Sequence, residues 1–153
     1  MRLAKVIQPV VSGAGATQTL AARDSGSLVL FDRAAGIVYT LPRPQVGLTF
    51  DFYVQTTVTS NAHKVITSSA AELLQGVLVE GTLDETPGAN PGPKLFQALA
   101  GDSFVAISSN GTTTGGVIGQ WYRLTCLSTT QWMVTGVIVS PNGQTIATPF
   151  ATS

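Results

Sequence analysis

Hydrophobic and polar side chains alternate with a period of two along several short stretches of this chain. Residues 48–55, with the sequence LTFDFYVQ, show the strictest alternation. Such a segment turns one face of a β-strand toward a core and the other toward solvent. Seven further stretches have strand character between turn residues: 27–31, 37–41, 64–67, 77–80, 104–108, 120–127 and 131–139. About eight short strands predict an all-β fold, a single β-sandwich or barrel-like domain with antiparallel pairing.

The two ends of this pattern define the expected domain organisation. Residues 1–16 predict an extended N-terminal arm, because Pro9 interrupts the apolar alternation and the flexible sequence SGAGA follows. Residues 17–153 then form the β domain. A loop rich in Pro and Gly at 84–94 is expected to project from it. Only residues 68–75 have a composition that predicts a turn or two of helix.

Composition strengthens the all-β prediction. The chain holds 20 Thr, 16 Val and 7 Ile among its 153 residues, and β-branched side chains favour strands over helices. Its single cysteine excludes an internal disulfide. We therefore expect the fold to be held by packing and strand pairing alone.

Charge excludes several classes of partner. Eight basic and eight acidic residues make up only 10% of the chain, whereas soluble proteins usually have about 25%. Without a basic cluster, nucleic-acid binding is not expected. The chain also lacks an apolar run of about 18 residues, which a membrane-spanning helix needs. We expect no secretion by a cleaved signal peptide. After Asp102 the only charged residue is Arg123, so we expect this segment to be covered in a homotrimer.

The candidates for chemistry are isolated from one another in the sequence. His63 is the only histidine, Cys126 the only cysteine, and Glu80 belongs to the one local acidic cluster. A metal site needs several converging ligands, and the sequence lacks the Gly-x-Ser-x-Gly elbow of many serine hydrolases. The prediction is a protein that is not an enzyme, with no catalytic residue, metal or cofactor.

Two groups of short motifs carry a resemblance to a known class of proteins. The first comprises TLAARDSG at 19–26, AAG at 34–36, TLP at 40–42, GL at 47–48 and TSN at 59–61; the second comprises GQWYRL at 119–124 and TTQWMVTG at 129–136. Together they resemble modules of tailed-bacteriophage virion proteins, and among these the capsid decoration or cement proteins.

The resemblance implies a small, often trimeric β protein that binds the major capsid protein lattice and ties neighbouring capsomers together. It also implies synthesis in the host bacterial cytoplasm and a final place on the outer capsid surface. A tail-fibre or receptor-binding β module that grips host glycans, through Trp121, Trp132 or loop residues, is the alternative.

Two sets of contact residues are expected. The subunit contact of the homotrimer is predicted at Trp121, Tyr122, Trp132 and Met133. The arm is predicted to contact the capsid or a neighbouring copy, as an added strand, through Arg2, Leu3, Lys5, Val6 and Ile7. The alternative that this segment is the first strand of its own subunit stays open.

Overall fold

The structure is a computed structural model that describes residues 7–83 and 92–153. It confirms the all-β prediction. Twelve strands occur in the order β1 Val10–Val11, β2 Thr17–Thr19, β3 Leu28–Phe31, β4 Val38–Thr40, β5 Thr49–Val54, β6 His63–Ile66, β7 Leu73–Thr82, β8 Lys94–Ala98, β9 Ala106–Ser109, β10 Trp121–Ser128, β11 Gln131–Ser140 and β12 Phe150–Ala151. A single 3-10 turn at Ala22–Asp24 interrupts them.

The strands form two mixed sheets that pack as a β-sandwich. The large sheet has seven strands in the order β1-β3-β5-β10-β11-β7-β8, and the small sheet has five in the order β12-β9-β6-β4-β2. Both sheets supply the core, as in the edge-to-face contact of Phe31 with Tyr39, whose ring centroids are 5.3 Å apart. The interior thus lies between two layers.

The first six strands alternate between the two sheets and wind as a coil. In the large sheet β1, β3 and β5 pair in parallel, and in the small sheet β2, β4 and β6 do the same. One turn of the coil takes 18 residues from Val10 to its partner Leu28, and the next takes 23 from Leu28 to Asp51. A repeat of fixed period is therefore absent from the sequence although the structure repeats.

Strand β10 joins this coil to the remainder of the large sheet. It pairs antiparallel with β5 on one side and with β11 on the other. A Cβ atom at Gly136 of β11 would collide with the Trp121 carbonyl oxygen and the Tyr122 Cα, and this glycine has a φ of 155°. Only glycine lets β10 and β11 approach closely here.

Several expectations about element bounds are corrected. The described residues form twelve strands rather than eight, and parallel pairs occur as well as antiparallel ones. The additional strands are β1, β2, β8 and β12. Three of them have two or three residues, too short for a periodic pattern. The helical turn expected at 68–75 is wrong, since Leu73 already begins β7.

The expected arm and loop are only partly within the described residues. Val10–Val11 pairs with β3 of the same subunit, so an arm reaching to residue 16 is corrected: its end belongs to the subunit's own sheet. Of the arm contacts, Ile7 is described, and its side chain is exposed. Arg2, Leu3, Lys5 and Val6 lie outside the described residues, as do residues 84–91 of the expected loop. Lys94, the last loop residue, begins β8.

Candidate functional site

The alternation of strands β10 and β11 divides the four residues expected at a subunit contact into two pairs. Tyr122 and Trp132 face the core and are 1% and 0% exposed. Trp121 and Met133 lie on the opposite face of the large sheet and are 38% and 37% exposed. The expectation is therefore corrected for Tyr122 and Trp132, because buried side chains have no surface to offer a second subunit. Only the outward pair remains available.

Strand register places Trp121 in a continuous apolar row across six strands. Trp121 pairs with Tyr53 of β5 and with Val137 of β11. The same register line contains, from one side of the sheet to the other, Leu30, Tyr53, Trp121, Val137, Val79 and Leu95. We call these six residues the apolar row. Cross-strand neighbours on one face lie close enough to form a common surface.

Further apolar side chains flank this row on the same face. Val77 is 37% exposed, Val10 59% and Leu127 45%. Among the large apolar side chains that the structure describes as exposed, seven belong to strands of the large sheet and none to strands of the small sheet. The exposed apolar surface of the strands is thus concentrated on one face of the sandwich.

The charges on this outer face neutralise each other. The Arg123 guanidinium donates from Nε to Asp51 Oδ1 at 2.6 Å and from Nη2 to Oδ2 at 2.9 Å. Gln8 Nε2 also donates to Oδ2, at 2.9 Å. The hydrogen bond from Arg123 holds the pKa of Asp51 below its ordinary value of 3.8. Arg123 also lies 5.9 Å from the Trp121 ring centroid, a cation–π contact.

The outer face of the small sheet has a different chemistry. Its outward strand positions are Thr17, Thr19, Val38, Thr40, Lys64, Ile66, Ala106, Ser108 and Ala151. Val38 and Ile66 are half-buried, while Thr17 and Thr19 are exposed. This face is wetted mainly by hydroxyl groups, so the two outer faces of the sandwich differ in polarity.

The candidates for chemistry are dispersed in the interior. His63 is 1% exposed, its Nε2 lies 2.9 Å from the carbonyl oxygen of Thr56, and burial lowers its pKa from 6.5. The Cys126 thiol is buried and donates to the Ser128 carbonyl, and burial raises its pKa. Across residues 7–83 and 92–153, no three His, Cys, Asp or Glu side chains are grouped so that they could hold a metal ion.

Glu80 is a fully buried carboxyl group, with 0% exposure. Its Oε1 accepts a hydrogen bond from Ser140 Oγ at 2.6 Å, whereas Oε2 has no hydrogen-bond partner. Burial raises the pKa of Glu80 to about 7, against the opposing effects of Ser140 and Lys94. This group is a source of pH-dependent stability, because water cannot reach the carboxylate.

A polar cleft of about 400 Å³ lies where three loops meet at one end of the sandwich. It is lined by Arg43, Pro44, Ser68, Ser69, Glu72 and Thr129. Both carboxylate oxygens of Glu72 accept hydrogen bonds from the Ser68 hydroxyl, and one also accepts from the Ser68 amide. The carboxylate is therefore tied to its own loop.

Sequence reasoning missed Tyr53, Val137, Val79 and Leu95 as members of one surface. The alternation in residues 48–55 turns Tyr53 outward, but only strand register aligns it with Trp121. The chain matches no protein-family model, no curated protein and no solved structure. Among the described residues, no helix is long and apolar enough to cross a membrane.

Proposed function

We propose that this chain is a non-enzymatic structural protein of a bacteriophage virion. It decorates and cements the capsid by binding the lattice of the major capsid protein as a homotrimer. Its place is the outer capsid surface, and its partners are other copies of itself and the capsid protein, not nucleic acid or membrane.

One observation carries this proposal: the two outer faces of the sandwich differ in chemistry. The face with Trp121 and Val137 exposes apolar side chains, and the face with Thr17 and Thr19 exposes hydroxyl groups. A subunit that sits on a shell has one side covered by the assembly and another side facing water. Large exposed apolar patches in soluble proteins mark interaction surfaces, and the resemblance to decoration proteins supplies the kind of assembly.

Trimerisation would strengthen attachment to the shell. Three linked copies bind a repeating lattice with a high effective concentration for the second and third contacts, so modest individual contacts add to a stable attachment. A single free copy would dissociate much faster.

The test is co-sedimentation of the purified protein with empty shells and with intact virions. The proposal expects saturable binding to shells at a copy number that follows the capsid lattice. Absence of binding to shells, or binding only to tails, would contradict it. Substitutions on one outer face at a time, in variants that remain folded, separate the contributions of the two faces to shell binding.

The coil of β1 to β6 favours a second candidate, a tail-fibre or receptor-binding module. Parallel strands stacked turn upon turn are the arrangement of extended solenoid proteins, and Trp121 could stack on a sugar ring. In this case the protein binds host cells or their surface glycans and ignores empty shells, which the same sedimentation experiment distinguishes.

A further inference from the structure

The outer face of the large sheet has the size of a subunit contact. The apolar row crosses six strands, which at a spacing of about 4.8 Å is about 24 Å. The outward positions of β10, from Trp121 to Leu127, extend for about 20 Å along the strand. Two projected areas of about 500 Å² bury about 1,000 Å² in total, the lower limit for a specific interface.

The residues at the centre of this face are those that dominate binding energy at interfaces. Trp, Tyr and Arg are the residue types most enriched at such positions, and Trp121, Tyr53 and Arg123 lie on adjacent positions of β5 and β10. Two hydrogen bonds to Asp51 fix the Arg123 side chain before any partner arrives. A prearranged side chain loses less conformational entropy on association.

The charge pattern of this face favours another copy of the same chain as its partner. The outward charges on the strands of the large sheet are Asp51 and Arg123, which form an ion pair with each other. A homotrimer that packs this face around its three-fold axis therefore brings no unpaired like charges together. Among the described residues of these strands, a charged partner would find this paired carboxylate and guanidinium and, at the β8 edge, the exposed Lys94, whose Nζ contacts the Ile146 carbonyl oxygen at 3.4 Å.

We propose that the outer face of the large sheet, centred on Trp121 and Val137, is the surface through which copies of this chain contact one another. This inference rests on the proposed function, because it specifies that other copies of the chain, rather than the capsid protein, cover the apolar face of the decoration subunit in the assembly. It enlarges the contact beyond Trp121 and Met133 to the whole apolar row.

The decisive variant is Val137→Lys, in the middle of the apolar row, where the wild-type side chain is 48% exposed. Thr19→Lys, at an exposed position on the small sheet, is the matched control. Sedimentation equilibrium from submicromolar to about 100 µM should give associated wild-type and Thr19→Lys proteins, with at least tenfold weaker association of Val137→Lys. Circular dichroism and thermal unfolding show whether each variant is folded.

A second variant keeps the inference testable if Val137→Lys does not fold. Leu95→Lys lies at the edge of the same row, where the wild-type side chain is 72% exposed, so its effect on folding is small. A wild-type protein that is monomeric over the whole concentration range overturns the inference. Association that neither lysine variant weakens does the same.

Shell binding by the same proteins separates the inference from the proposed function. If the wild-type protein self-associates but never sediments with shells, the inference stands and the proposed function fails. If the wild-type protein is monomeric and Val137→Lys abolishes its binding to shells, the face belongs to the capsid contact: the inference and the homotrimer fail, while capsid decoration stands.

Discussion

The buried carboxyl group of Glu80 should make the stability of this protein fall as the pH rises. In the unfolded chain this group titrates near its ordinary pKa of 4.5, and in the folded protein near about 7. Between these two values the folded state holds a proton that the unfolded state has released. The stabilisation from protonated Glu80 is therefore complete below pH 4.5 and is lost as the pH rises through about 7.

The size of this loss follows from the two pKa values. At about 1.4 kcal/mol per pKa unit, the upper bound is about 3.5 kcal/mol. The structural cause is that Oε2 has no hydrogen-bond partner while Oε1 depends on Ser140 alone. An ionised carboxylate in this position is poorly solvated, although Lys94 offsets part of the penalty.

Titration of His63 changes the unfolding free energy with pH in the opposite direction, and this contribution must be separated from that of Glu80. The folded pKa of His63 is depressed by burial, so its contribution is present above pH 6.5 and is lost as the pH falls through the folded pKa. The variant Glu80→Gln isolates the glutamate, because a neutral amide keeps the acceptor for Ser140 and does not titrate. The difference in unfolding free energy between Glu80→Gln and wild type then cancels the histidine contribution.

Urea denaturation at a series of pH values from 4.5 to 8 measures this difference. We expect the unfolding free energy of Glu80→Gln, relative to that of the wild type, to increase by up to about 3 kcal/mol as the pH rises across the series. Asp51→Asn is the control, since the pKa of Asp51 lies below 3.8 and its titration falls outside the window. A difference between Glu80→Gln and wild type that is constant with pH, or that shrinks as the pH rises, would refute the reasoning.

Two further predictions concern folding and chemistry. Gly136→Ala should destabilise the protein by more than about 2 kcal/mol in urea denaturation, because the added methyl group collides with the β10 backbone; Gly81→Ala, where a Cβ meets no atom within 4 Å, should change stability by less than about 0.5 kcal/mol. His63→Ala and Cys126→Ala should lower the melting temperature by opening cavities but leave the binding of the folded protein to shells unchanged; a folded variant of either kind that no longer binds would show that its side chain has a functional role.

The alternation of apolar residues predicted the strands of this fold better than their pairing. All eight expected strands occur, because β-branched and aromatic side chains at every second position have no other arrangement that buries them. The neighbouring Pro93 masks the strand pattern of β8, and Pro9 makes the β1 segment resemble an arm. Parallel pairing, as between β7 and β11, depends on how distant segments meet, which local pattern does not encode.

Part of the candidate contact surface could be predicted from the sequence. Alternation along GQWYRLTC separates Trp121 and Arg123 from Tyr122 and Cys126, so the inward position of Tyr122 followed from the pattern. The composition of the apolar row could not be predicted from this pattern. It depends on the register between β5, β10 and β11, which sets Tyr53, Trp121 and Val137 side by side.

The coil of β1 to β6 has a consequence for synthesis on the ribosome. Its ladders join segments about 20 residues apart, so the coil can wind while later residues are still being made. During that interval β5 is the open edge of the sheet, since its partner β10 follows much later. Asp51 places a charge in the middle of this edge, with Arg123 still 72 residues away. An uncompensated charge discourages pairing with another nascent chain, so Asp51 protects the open edge until Arg123 arrives with β10 and neutralises it.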